Sequence, residues 1–203
     1  VVSTRVLSPR VAVVWAAFFN FVAFLILGLH VANTVGKGIV RTEIVDLTVI
    51  GSGLFAAIIW NLLTWWWGIP SSSSHTMVGG FVGAAIAKAG IDSIFLTEVL
   101  RIISFIFIAP LVGIIISVIF SIITIHICKD MNPFSVDKYF RKLQLVSSAA
   151  YSLGHGSNDA QKMMGIIFVA LVSTKHLTVN DDIPLWVVLA CHAAIALGTL
   201  SGG

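Results

Sequence analysis

SLGHGSNDAQKMMG, residues 152–165, sets a histidine, an asparagine, an aspartate and a lysine inside a segment flanked by apolar runs on both sides. The next charges lie well away, Arg141 and Lys142 before it and Lys175 after it. The cluster therefore falls near the middle of a stretch long enough to cross a bilayer, where ionisable side chains are costly and mark a pathway or a binding site. Gly154 and Gly156 each lower helix propensity by about 1 kcal/mol relative to alanine, so the motif predicts a break in the helix. A break frees backbone N–H groups at a new helix N-terminus, which favours an anion. Asn158 and Asp159 would open that second half. Asp159 offers a carboxylate to a cation or proton, and His155 can donate to an anion or titrate. Lys162, three residues on, can neutralise Asp159 on the same face. The plainer alternative is a connector between two helices at the membrane surface, with ordinary capping residues.

Composition agrees with a bilayer setting. The chain of 203 residues is 58% hydrophobic and 10% charged, with a mean hydropathy of +1.01; soluble domains carry about 25% charged residues. The net charge of +3 then reflects cytoplasmic loops rather than a nucleic-acid partner. Cys128 and Cys191 fit no CxxC or zinc spacing and read as packing residues. No Walker motif, HExxH or dinucleotide fingerprint is present, so neither an enzyme, a cofactor nor a metal centre is expected.

Apolar runs at residues 11–29, 48–67, 102–127, 145–172 and 184–200 reach or approach the roughly 20 residues that a spanning helix needs. They do not alternate as barrel strands would. Residues 77–91 are apolar but short, and hydropathy leaves open whether 68–91 spans or re-enters. Pro110 interrupts the run at 102–127. The polar segment 128–144 holds Lys129, Lys138, Arg141 and Lys142 and is expected as a cytoplasmic loop; 173–183, with Lys175 beside Asp181 and Asp182, is expected outside. Residues 13–25 (VVWAAFFNFVAFL) and 187–199 (VVLACHAAIALGT) echo each other faintly, as duplicated transporter halves can. Asn20 and Asn61 read as interhelical hydrogen bonders, and His192 as an interior residue.

A second polar cluster is GIPSSSSHTMVGG, residues 68–80. Pro70 stops or starts a helix. The serines that follow, with His75 and Thr76, would put hydroxyls at a helix N-terminus, where hydroxyls and amides can hold an oxyanion without a full positive charge. A solvated serine loop is the alternative.

The two clusters together resemble the PiT family of inorganic phosphate transporters. GHGSNDAQK (154–162) is similar to its GHGANDxQK signature, with Ser157 in place of alanine, and PSSSSHT (70–76) to its proline–Ser/Thr–His segment. FAAIIWNLLTWWWGIPSSSSHT (55–76) and ALGTLSGG (196–203) also resemble family text. HVANTVGKG (30–38) lacks the aspartate and is not read as a copy of the motif. VVSTRVLS at the start resembles the text just after a first such copy, so a piece of a longer protein is expected.

The resemblance implies an all-α polytopic membrane protein, an inverted-repeat secondary transporter with broken helices. Residues 1–127 would hold the remainder of the first repeat and the helices after it, 128–144 the cytoplasmic loop, and 145–203 the truncated start of the second repeat. It implies phosphate symport across a bacterial inner membrane, with room for a homodimer. Ser72, Ser73, Ser74, His75, Thr76, His155, Asn158 and Asp159 are the expected substrate residues, and Asp159 also serves the coupling ion. Sodium-coupled relatives often carry a glutamate about where Asn20 stands. Asparagine there points to proton coupling, with a metal–phosphate complex as a candidate cargo. Sodium coupling, sulfate transport and a passive anion pore are the alternatives.

Overall fold

The structure, a computed structural model, describes residues 1–27, 39–41, 43–178 and 180–202. HVANTVGKG lies outside the described residues. The elements are α1 (Pro9–Leu27), α2 (Leu47–Trp66), α3 (Ser73–Ala89), a 3-10 turn (Ile91–Ser93), α4 (Leu96–Cys128), α5 (Pro133–Ser173) and α6 (Leu185–Gly202). The expectation of an all-α protein holds. Among the described helices, α1, α2 and α4 are long and apolar enough to cross a membrane.

Local chemistry sets the boundaries. The Asp46 carboxylate caps α2 by accepting from the Val49 N–H at 3.0 Å. The Lys88 ammonium at the end of α3 pairs with the same carboxylate at 2.6 Å. Lys88 and the Val49 N–H together hold the Asp46 carboxyl below the usual carboxylate range. Gly68, at φ +67°, turns the chain out of α2, and the Ile69 N–H closes back on the Thr64 carbonyl at 2.9 Å. Asn132 caps α5 with Pro133 in its first turn, a position where a missing N–H costs nothing.

Three expectations need correction. Helix α5 runs unbroken through Gly154–Asp159. Two glycines cost about 2 kcal/mol in propensity, while freeing backbone groups away from water costs several kcal/mol for each group. The polar side chains find partners one turn away instead: Gln161 Nε2 donates to Ser157 Oγ at 2.8 Å. Second, residues 133–144 are the first turns of α5 rather than loop, and only the short stretch 129–132 separates α4 from α5. Third, α4 continues through Pro110; a proline removes one hydrogen bond and bends a helix without ending it where the flanking turns stay intact.

The helices pack as two units. In one, α2 and α3 form an antiparallel hairpin, its ends tied by Lys88 and Asp46. A Cβ on Gly80 would collide with the Gly53 carbonyl oxygen, and one on Gly53 would lie 3.0 Å from the Phe81 Cα. In the other, α1, α5 and α6 pack mutually. Ala160 and Met164 of α5 meet Val187, Val188 and Cys191 of α6, with Phe24 of α1 against them. The echoing segments 13–25 and 187–199 lie in α1 and α6, which face each other. The units touch along a narrow seam, where Ile166 of α5 packs with Val49, Ile50 and Met77. Helix α4 has no buried residue.

Gly156 is the tightest point of the second unit: a Cβ there would sit 2.6 Å from both the Cα and the carbonyl oxygen of Asn20. Gly156→Val is expected to lower unfolding free energy by about 1–3 kcal/mol, the usual cost of overpacking. Gly154, where a Cβ meets nothing within 4 Å, should accept alanine with no loss, or with a gain of up to about 1 kcal/mol. Thermal unfolding of the two variants in detergent checks both; equal effects would refute the packing account.

Candidate anion site at the seam between the two polar motifs

The N-terminus of α3 is built by the serine run. Ser72 is extended, and its Oγ accepts from the His75 N–H at 3.4 Å. The Thr76 hydroxyl donates back to the Ser72 carbonyl at 2.9 Å. The following turn carries Ser74 onto the face that meets α5. There the Ser74 hydroxyl donates to Asp159 Oδ1 at 3.2 Å. Lys162 Nζ donates to Ser74 Oγ at 2.6 Å and to Asp159 Oδ1 at 3.1 Å. His155 Nδ1 lies 3.6 Å from Asp159 Oδ2, and its ring stacks on Tyr151. The two sequence clusters, some 85 residues apart, therefore meet in one hydrogen-bonded group.

That group faces a cavity of about 370 Å³. Helix α2 contributes apolar wall and the Asn61 amide, α3 contributes Ser73, Ser74 and Met77, and α5 contributes Asp159, Lys162 and Met163. The side chains of Asp159 and Lys162 are 25% and 28% exposed, partly desolvated yet open to the cavity. Such a site offers an ammonium and hydroxyls to an anion, and a carboxylate to a cation.

Not every expected residue joins it. Ser72, His75 and Thr76 lie on the other side of α3, where they line a separate cavity of about 610 Å³ with Trp60 and Ile106. Asn158 is exposed and lines neither of these cavities. Successive helical residues point about 100° apart, so a contiguous motif cannot aim all its members at one place. Two polar residues outside the expected set do line the site. Lys162 had its signal in the three-residue spacing to Asp159. Asn61 had only its polarity within an apolar run.

Asn20 and His192 behave as interior hydrogen bonders. Asn20 is 2% exposed, and its Nδ2 donates to Thr199 Oγ1 at 2.9 Å. The His192 Nδ1–H donates to the Asn20 carbonyl at 3.0 Å. Asn20 Oδ1 is buried and finds no partner among the described residues.

Comparison with known proteins gives a consistent answer. The chain is 52% identical over 203 residues to the probable low-affinity inorganic phosphate transporter of Rhizobium meliloti (strain 1021), covering all of this chain and 61% of that protein. It is 43% identical over 204 residues to the protein of the same description from Bacillus subtilis (strain 168), again covering 61% of it. The low-affinity inorganic phosphate transporter PitB of Escherichia coli (strain K12) is 34% identical over 201 residues, covering 85% of this chain and 40% of PitB. The chain thus spans about three-fifths, or less, of the length of these relatives. A solved structure described as the sodium-dependent phosphate transporter shares the fold, with a TM-score of 0.85 at 23% identity, over 98% of this chain and 68% of that one. The sequence model of the phosphate transporter family matches residues 1–136 and 129–203, so the chain belongs to the phosphate transporter family, as a membrane-integral member.

Proposed function

We propose that the chain forms the substrate-handling part of a bacterial inner-membrane symporter for inorganic phosphate, driven by protons. The observation that carries this reading is the Ser74–Asp159–Lys162 group, which lies on the seam between two packed units and faces a cavity. Phosphate is too strongly hydrated to enter hydrocarbon unaided. Hydroxyls, the N-terminus of α3 and the Lys162 ammonium replace part of its water shell, and a coupling ion offsets its charge. The helical hairpin α2–α3 moves against α1, α5 and α6, exposing the site to one side and then the other. On the positive-inside rule the basic stretch 129–144 faces the cytoplasm. A metal–phosphate complex fits the same chemistry, since a bound divalent cation reduces the anion's charge. The names of the relatives support phosphate as cargo.

Proton coupling rests on Asn20, an amide that cannot ionise, buried beside Gly156. Sodium coupling is the second reading, favoured by the description of the fold neighbour.

Full-length protein in proteoliposomes is expected to accumulate labelled phosphate when the outside is made acidic with sodium absent, and not under a sodium gradient alone. Accumulation driven only by sodium would keep the cargo and reverse the coupling. Equilibration without accumulation would indicate a passive pore. Tenfold excess sulfate should leave uptake intact; strong competition by sulfate would move the cargo to oxyanions in general. Asp159→Asn is expected to lower uptake by about 30-fold or more, equivalent to about 2 kcal/mol lost from a charge-paired site. Uptake at the wild-type rate in that variant would remove Asp159 from the site.

A further inference from the structure

We propose that Lys162 is a tethered cation, whose ammonium holds the place beside Asp159 and Ser74 that a free coupling cation would take. This rests on the phosphate reading above and adds a specificity-determining residue to it. Of the described residues lining the cavity of about 370 Å³, Lys162 alone carries positive charge and Asp159 alone negative. An ordinary pair within one helix would need nothing from a neighbour. Here the ammonium also crosses the seam to Ser74 Oγ at 2.6 Å, while holding Asp159 Oδ1 at 3.1 Å. A carboxylate oxygen and a hydroxyl are the ligands a hard cation selects, and both converge on Nζ. A sodium ion entering there would displace the ammonium or meet its charge at close range.

The ammonium also suits the anion. It has three donors on a flexible four-carbon stem, so it can turn from Ser74 and Asp159 toward a phosphate in the cavity without leaving the site. The charged groups near Asp159 are few. Helix α5 supplies Lys162 and, at 3.6 Å, His155. From α3 the facing group is Ser74, while His75 lines the other cavity. The linings from α2 and α6 carry no ionisable side chain among the described residues.

The test compares wild type, Lys162→Asn and Lys162→Arg as full-length proteins. Labelled phosphate uptake into proteoliposomes is measured with sodium chloride exchanged for choline chloride at fixed pH and ionic strength. Unfolding temperature in detergent is followed in the same two salts. Wild type and Lys162→Arg should be indifferent to sodium in both measurements. Lys162→Asn should lose about tenfold or more of its uptake in choline, the worth of a charge-assisted hydrogen bond. Sodium should then restore part of that uptake and raise the variant's unfolding temperature. Lys162→Gln replaces the asparagine variant if the latter does not fold. A neutral variant with wild-type uptake, or with no sodium response in either measurement, overturns the inference and leaves the phosphate reading standing. Sodium-stimulated wild type overturns it equally. Wild type that carries no phosphate in either salt overturns the phosphate reading, and this inference with it.

Discussion

Where Gly156 meets the backbone of Asn20, two helices approach more closely than any side chain would permit. Much else follows from that contact. It draws α1 against the middle of α5 and buries Asn20, whose backbone carbonyl and side-chain amide then reach His192 and Thr199 of α6. Helices α1 and α6 are thereby joined by hydrogen bonds at the level where α1 packs on α5, in a setting where lipid offers no substitute partner. The residues that follow Gly156 on α5 inherit the placement. Ala160 and Met164 face α6, and Asp159 and Lys162 face the hairpin.

The spans were legible because hydropathy is a property of composition. The apolar runs at 11–29, 48–67 and 184–200 correspond closely to α1, α2 and α6. The continuity of α5 through its glycines was not legible. Glycine propensity is a local quantity of about 1 kcal/mol per residue, and the sequence does not say whether a glycine is there to loosen a helix or to admit a neighbour. Gly156 admits one. The basic segment 133–144 misled for a related reason: charge and polarity fit a loop, but they equally fit a helix that extends beyond the hydrocarbon. At 1.5 Å per residue, the 41 residues of α5 run about 60 Å, about twice the thickness of the hydrocarbon core.

The site divides the same way. That Ser74 and Asp159 are candidates could be read from residue type, since hydroxyls and a carboxylate have little other use in an apolar chain. Which serines face Asp159 depends on the rotation of α3 and its register against α5. Neither is encoded within the motif itself. Ser74 and Thr76 are two residues apart, about 200° around the helix, and they line different cavities. Asn61 joins the site because α2 and α3 run antiparallel with glycines between them, a relation only the packed hairpin displays.

An unbroken α5 changes what kind of anion site is available. Two half-helix ends facing each other would bind an anion with backbone dipoles alone. Here one helix N-terminus, that of α3, is present at the cavity, and α5 passes it side-on. A helix flank offers no free N–H groups, so α5 can contribute only side chains. The ammonium of Lys162 is the side chain that supplies what a second helix end would have given, about half an elementary charge, and it supplies twice that. Its charge is cancelled by Asp159 while the cavity is empty of anion, which keeps a lone charge from standing in a partly desolvated place. The same pair spans the two packed units. A ligand that draws Lys162 away from Ser74 loosens the seam's polar link and leaves the apolar contact at Ile166 to hold the units together. On the proposed function, binding and relative movement of the units would be coupled through this one side chain, because a ligand shifts an equilibrium between arrangements only as far as its contacts differ between them.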